Sequence, residues 1–211
     1  MDQILYIFDP LCGWCFGFSE TMLDFSKKHA GKYEFVPVVG GMMTGPRVAP
    51  YASMAEYIKS SLPRLEVTTG TTFGEPYIQN FLEGGSALTD SEPPCRALIT
   101  FRSFMPESAM EFAHSLQNAH FKDGMDYNDD ALYGQLSESF GLDSKTFMER
   151  FHSNEIKQTL EEEFTWVKKS GVQGFPTVVY HSGQKYFLIN HGYTSLETME
   201  ESLKRAVVNA V

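Results

Sequence analysis

Hydrophobic and polar positions divide the chain into two strand-rich ends and a helical middle. Gln3 to Phe8 is short and apolar on successive positions, which predicts a strand buried on both faces. Asp9-Pro10 ends it. From Gly13 to about Ala30, Trp14, Phe18, Met22 and Phe25 recur at helical spacing, with Gly31 where a C-terminal cap is expected. Tyr33 to Val39 reads as a second strand, and strand, helix and strand make a right-handed βαβ unit. Pro37 cannot donate a ladder hydrogen bond, so this strand belongs at a sheet edge.

At the other end, Thr177–Tyr180 and Lys185–Ile189 are strand-like runs joined by His181-Ser182-Gly183-Gln184, a hairpin pattern. Thr194-Ser195-Leu196-Glu197 has the form of a capping box, and Leu196, Met199, Leu203 and Val207 mark a last amphipathic helix to about Val208. Between the ends, helical patterns cover roughly Met54–Leu62, Glu75–Leu82, Pro93–Phe104, Ser108–Phe121, Asp129–Phe140, Ser144–Phe151 and Asn154–Ser170. The simplest organisation is a βα fold at residues 1–41 and 166–211, split by a helical insertion over 42–165.

Composition narrows the class. With 211 residues and 42% apolar content the chain can bury a core, and no apolar run has the length of a membrane span. A net charge of −10 disfavours phosphate tracking, so no nucleic-acid partner and no membrane partner are expected. The start meets Asp2 and Asp9 without a basic region, unlike a secretory signal, and three cysteines do not make a disulfide scaffold. A cytoplasmic setting is the expectation.

The sharpest chemical feature is Cys12-Gly13-Trp14-Cys15 at the first strand-to-helix junction. Unpaired amides and the positive end of the macrodipole stabilise a thiolate there, and one helical turn brings the second sulfur within disulfide reach. The expected pair is an exposed nucleophile, Cys12, and a more buried resolving thiol, Cys15. Core packing is the bland alternative. A zinc site of Cys12, Cys15, Cys95 and one of the six histidines is another, but those histidines show no ligand spacing, so no metal is expected. Far along the chain, Gly171-Val172-Gln173-Gly174-Phe175-Pro176-Thr177 places a proline just before a hairpin strand.

Together these motifs resemble the DsbA-like branch of the thioredoxin superfamily. Within it the chain is similar to the cytosolic predicted protein-disulfide isomerases, related to 2-hydroxychromene-2-carboxylate isomerases and kappa-class glutathione transferases. The resemblance implies an α/β thioredoxin fold, a central four-stranded mixed sheet with a large helical insertion. It implies a cis Phe175–Pro176 peptide packed beside Cys12, with the Phe175 backbone pairing to a substrate strand and Pro176 keeping metal and water off the sulfurs. The implied activity is thiol–disulfide exchange of the reductase or isomerase type on a protein or small-molecule disulfide. No cofactor is expected beyond the redox-active disulfide itself, with glutathione as a co-substrate and glutathione or a thioredoxin-type protein as reductant. Two departures matter. Gly13-Trp14 replaces the Pro-His of strongly oxidising members, which predicts a milder potential. The isomerase and transferase relatives carry serine where Cys12 stands, which leaves their glutathione-dependent chemistry as the alternative.

Weaker features have local readings. Trp14 is expected partly exposed, gripping apolar substrate segments. Cys95 is expected to be a small buried residue, or else a third thiol, while Ser91 and Arg96 could contact a substrate or glutathione carboxylate. Asp9 either caps the turn after the strand or tunes the thiols. Asp126, Asn128 and Asp130 alternate like a calcium loop but lack its glycine and terminal glutamate, so an N-cap at Asn128 or Asp129 is expected. Glu161-Glu162-Glu163 reads as a solvated helix face.

Overall fold

The computed structural model describes residues 1–210. Its sheet has the strand order β2-β1-β3-β4. β1 (Gln3–Phe8) lies inside, parallel to β2 (Glu34–Val39) and antiparallel to β3 (Thr177–Ser182). β3 in turn pairs with β4 (Lys185–His191), with an irregularity at Val178/Val179. β1 is buried on both faces, as its unbroken apolar run requires. Ile4, Tyr6 and Phe8 join Phe18, Met22 and Phe25 of α1 (Gly13–Lys28), while Leu5 and Ile7 meet Val38 and Val167 on the opposite face. β2 is an edge strand, where Pro37 costs no ladder bond.

Between β2 and β3 run α2 (Ala55–Thr69), the short α3 (Glu75–Tyr77) with a π-helical extension over Ile78–Glu83, α4 (Glu92–Phe104) and α5 (Ala109–Phe121). They are followed by α6 (Asp130–Ser139), α7 (Ser144–Phe151) and α8 (Asn154–Lys169); α9 (Leu196–Ala210) then follows β4. The chain is thus an α/β fold, a four-stranded mixed sheet interrupted between β2 and β3 by a large helical insertion, as the resemblance implies.

Several boundaries differ from the pattern-based expectation. α2 runs through Pro63 to Thr69, not to Leu62. Pro63 stands on the exposed side, where water can satisfy the carbonyl it orphans, while Leu65 is buried against Phe16 and Phe73. Glu75–Leu82 is an α-turn that widens into a π-helix, with adjacent Phe81 and Leu82 both buried. The hairpin loop has two residues, Gly183-Gln184, since the ladder extends to Ser182 and Lys185. The last helix is capped one residue later than the box predicts. Ser195 Oγ accepts from the Thr198 amide at 3.2 Å. Asp129 caps α6, accepting from the Ala131 amide at 3.0 Å. In the acidic run Glu161 and Glu162 are exposed, but Glu163 turns inward to Arg102 and β2, because an edge strand offers it an unpaired amide.

Candidate active site

Asp9 organises the turn after β1. Its side chain is fully buried: Oδ1 accepts from the Leu11 amide at 2.9 Å and from Ser91 Oγ at 2.9 Å, and Oδ2 accepts from the Met42 amide at 2.6 Å. Ser91 Oγ also accepts from the Met43 amide at 3.0 Å. One carboxyl group therefore ties the β1–α1 turn, the loop after β2 and the segment entering α4 together. Burial outweighs these hydrogen bonds and holds the Asp9 carboxyl above the usual carboxylate range. Asp9 thus does more than cap a turn, and Ser91 is spent on it rather than free for a ligand.

Cys12 takes the N-cap position of α1 with extended backbone angles, φ −81° and ψ 111°, and no side chain caps the helix. Its carbonyl accepts from the Phe16 amide at 3.0 Å, beginning the helical ladder. The expectation of an exposed nucleophile is corrected. Cys12 is only 7% exposed, its thiol lying against the Phe175 carbonyl, although it remains more accessible than Cys15 at 0%. The Cys12 thiol donates to the Phe175 carbonyl at 3.7 Å, across 163 residues of sequence. The Phe175–Pro176 peptide is cis and Pro176 is buried. Gly40 permits this approach, because a Cβ there would run into the Phe175 ring.

Cys15 lies one turn on, its thiol beside that of Cys12. Burial first, then the neighbouring Cys12, pushes it well above the usual thiol range. The Tyr6 hydroxyl donates to the Cys15 carbonyl at 3.3 Å, fastening this turn to β1. Trp14 is half-buried between the main core and the aromatic cluster of the insertion, leaving it partly exposed.

All three cysteines are free thiols. Cys95 is fully buried in α4, and its thiol is raised chiefly by that burial. Arg96 does not reach for a ligand; its guanidinium lies over the Phe151 ring at 4.0 Å and its Nε stands 3.4 Å from Glu92. Among the described residues no group of three or more His, Cys, Asp or Glu is arranged to hold a metal ion.

Two cavities lie near the dithiol and share Met42. One, about 850 Å³, runs past Gly40, Gly41 and Phe175, with Arg47 and Lys168 set among Asp90, Glu92 and Glu161. The other, about 260 Å³, lies on the α2 side and includes Cys12 itself. The motifs brought together are the two that sequence singled out. Asp9's partners and the methionines of the smaller cavity carry no local signature; Ser91 is 82 positions from Asp9.

A family model described as a DSBA-like thioredoxin domain matches residues 3–204. Among solved structures, a candidate protein disulfide isomerase from Nitrosomonas europaea is 25% identical, covering 100% of this chain and 99% of its own, with a TM-score of 0.89. The cytosolic disulfide reductase DsbM from Pseudomonas aeruginosa is 23% identical over 98% of this chain and 99% of its own, with a TM-score of 0.81, and it has also been solved with glutathione. A 2-hydroxychromene-2-carboxylate isomerase is 17% identical over 98% of this chain and 96% of its own, with a TM-score of 0.63. No curated protein sequence matches. No helix among the described residues is long and apolar enough to cross a membrane.

Proposed function

The chain belongs to the DSBA-like thioredoxin domain family, and from that membership we propose that it is a thiol–disulfide oxidoreductase of the reductase or isomerase type, working through Cys12 and Cys15. The observation that carries the reading is Cys12 at the uncapped start of α1, facing the Phe175 carbonyl, with the buried Cys15 thiol one helical turn behind it. The helix amides are then free to receive the negative charge of an attacking sulfur.

Cys12 thiolate attacks a disulfide R–S–S–R′, forming Cys12–S–S–R and releasing R′–S⁻. Cys15 passes its proton to the released R′–S⁻ and attacks Cys12 Sγ, closing the Cys12–Cys15 disulfide and releasing R–S⁻. Two electrons pass from the dithiol to the substrate, and two glutathione thiols or a thioredoxin-type protein return them. The high Cys15 affinity for its proton keeps the second thiol unreactive until the mixed disulfide forms. Phe175 pairs its main chain with the substrate, Trp14 holds apolar substrate segments and Pro176 shields the sulfurs. With Gly13-Trp14 between the cysteines there is no imidazolium to stabilise the reduced form, which favours reduction or isomerisation in a cytoplasmic setting.

A second reading is a glutathione-dependent isomerase or transferase. The larger cavity favours it, since Arg47 and Lys168 among Asp90, Glu92 and Glu161 suit a zwitterionic peptide. One trapping experiment separates the two. Cys15→Ala is expected to accumulate a mixed disulfide through Cys12, read by intact mass. Failure to trap any adduct, together with tight glutathione binding by Cys12→Ser and no dithiol turnover, selects the second reading.

A further inference from the structure

The sheet has two edges, and only one of them is closed. Arg102 and Glu163 bond the outward groups of β2 at the Pro37 carbonyl and the Val39 amide. β4 is the other edge, paired with β3 along one side alone. Among the described residues, no side chain and no main-chain group outside β3 bonds to the β4 backbone. An exposed edge is normally blunted by charge, proline or a bulge. β4 has Lys185 at its hairpin end and a bulge at Ile189, since Val179 faces Leu188 while Val178 faces Asn190. Between these two guards, Tyr186, Phe187 and Leu188 form an uncharged stretch.

Tyr186 is 54% exposed and Leu188 is 64% exposed, and both project from the same face of the strand. Tyr186 lies flat against His181, with ring centroids 4.3 Å apart and planes 4° from parallel, so its pose is already fixed for contact. On the other side of the edge, a groove of about 390 Å³ sets Ser202, Arg205 and Ala206 of α9 beside Phe187. Glu201 and Arg205 are exposed one turn apart on that helix. Arg205 donates to Ser202 Oγ at 3.2 Å, and among the described residues neither Glu201 nor Arg205 has an ion-pair partner.

We infer that two copies of this chain pair antiparallel along β4 about a two-fold axis at Phe187, joining their sheets into one. In that register Tyr186 of each copy faces Leu188 of the other, an aromatic–aliphatic pair made twice. Lys185 faces the bulge at Ile189 and stays outside the central pairs. The axis passes α9 near Ser202 and Ala206, so the two copies of α9 lie side by side and antiparallel. Glu201 of each then meets Arg205 of the other, because the acid precedes the base along the helix. Any extended chain can bond to a free edge, but the apolar pairs and the charge match both arise from this sequence meeting itself. The paired stretch lies toward the hairpin end of the sheet, where His181 faces Gln3, whereas Cys12 follows the opposite end of β1. Both dithiols therefore stay outside the interface, and the inference does not depend on their chemistry.

Sedimentation equilibrium of the full chain over a concentration series is the test, with far-UV circular dichroism as the control for folding. The wild type is expected to dimerise. Leu188→Lys, which gives the open strand the charge that blunts natural edges, is expected to raise the dissociation constant at least about tenfold. Glu201→Arg and Arg205→Glu are each expected to weaken association, and the two together to restore it, since the exchanged charges are again complementary. A wild type that stays monomeric throughout leaves the edge to some other chain and overturns the inference. A dimer that Leu188→Lys leaves intact also overturns it, because the contact then lies elsewhere. A double variant no tighter than either single one rejects the pairing about Phe187. The wild-type measurement needs no variant, so a monomer decides the question even where a variant misfolds.

Discussion

His120 is fully enclosed among Tyr77, Phe81, Phe121 and Tyr127, and burial lowers its pKa from the ordinary 6.5 to about 4. Above about pH 6.5 the ring is neutral in both folded and unfolded chains, and its contribution is fully present. As pH falls through 6.5 toward 4, the unfolded chain takes up a proton that the native ring refuses, and stability is lost. Asp9 acts with the opposite sign. Its raised native carboxyl keeps a proton that the unfolded chain gives up above about pH 4, so its contribution falls as pH rises. We expect the histidine to cost on the order of 2–3 kcal/mol between about pH 7 and pH 4.5. Urea unfolding of wild type and His120→Asn at the two pH values checks this. An undiminished loss in the variant assigns the effect elsewhere. None of this could be read locally, because His120 shows no spacing that separates a buried ring from a ligand.

Edge strands need protection from further pairing, and β2 receives it from two insertion helices. The Val39 amide donates to Glu163 Oε1 at 2.7 Å, and Arg102 donates to the Pro37 carbonyl at 2.5 Å. Positions 37 and 39 point the same way along a strand. Arg102 of α4 and Glu163 of α8 also pair with each other, with side chains only 19% and 13% exposed. Together they occupy the place of a fifth strand. Removing one partner leaves a half-buried charge and an unpaired edge group, so Glu163→Ala should cost about 3 kcal/mol. A double-mutant cycle with Arg102→Ala in chemical denaturation should return a coupling of about 1 kcal/mol or more; coupling near zero rejects the pairing as a support of the edge. Pro37 announced the edge in the sequence. The clamp did not, since a run of three glutamates is locally indistinguishable from a solvated face.

The insertion and the sheet share one core. Ile4, Phe8 and Val178 belong to the same buried cluster as Phe101, Phe112, Tyr133 and Phe147. The Asp9 and Arg102 networks also cross between the two parts. A core continuous in this way should unfold as one unit, although the chain exceeds the usual two-state size. Trp14 and Trp166 fluorescence and far-UV circular dichroism are expected to give coincident urea transitions. A separate early transition in either probe shows that the insertion melts alone.

Short-range pattern sufficed for β1 buried on both faces, for the helix seams, for the edge position of β2 and for a dithiol at a strand-to-helix junction. Each follows from the period of the backbone or from one residue's covalent geometry, and so is written within a few positions. The Phe175 carbonyl over Cys12, the two distant anchors of Asp9 at Met42 and Ser91, the inward turn of Glu163 and the uncharged cavity beside the dithiol emerged only from the packed chain. In each of these, a polar group or an apolar surface excluded from water finds its complement 33 to 163 residues away. Which complement it meets is chosen by how the layers pack.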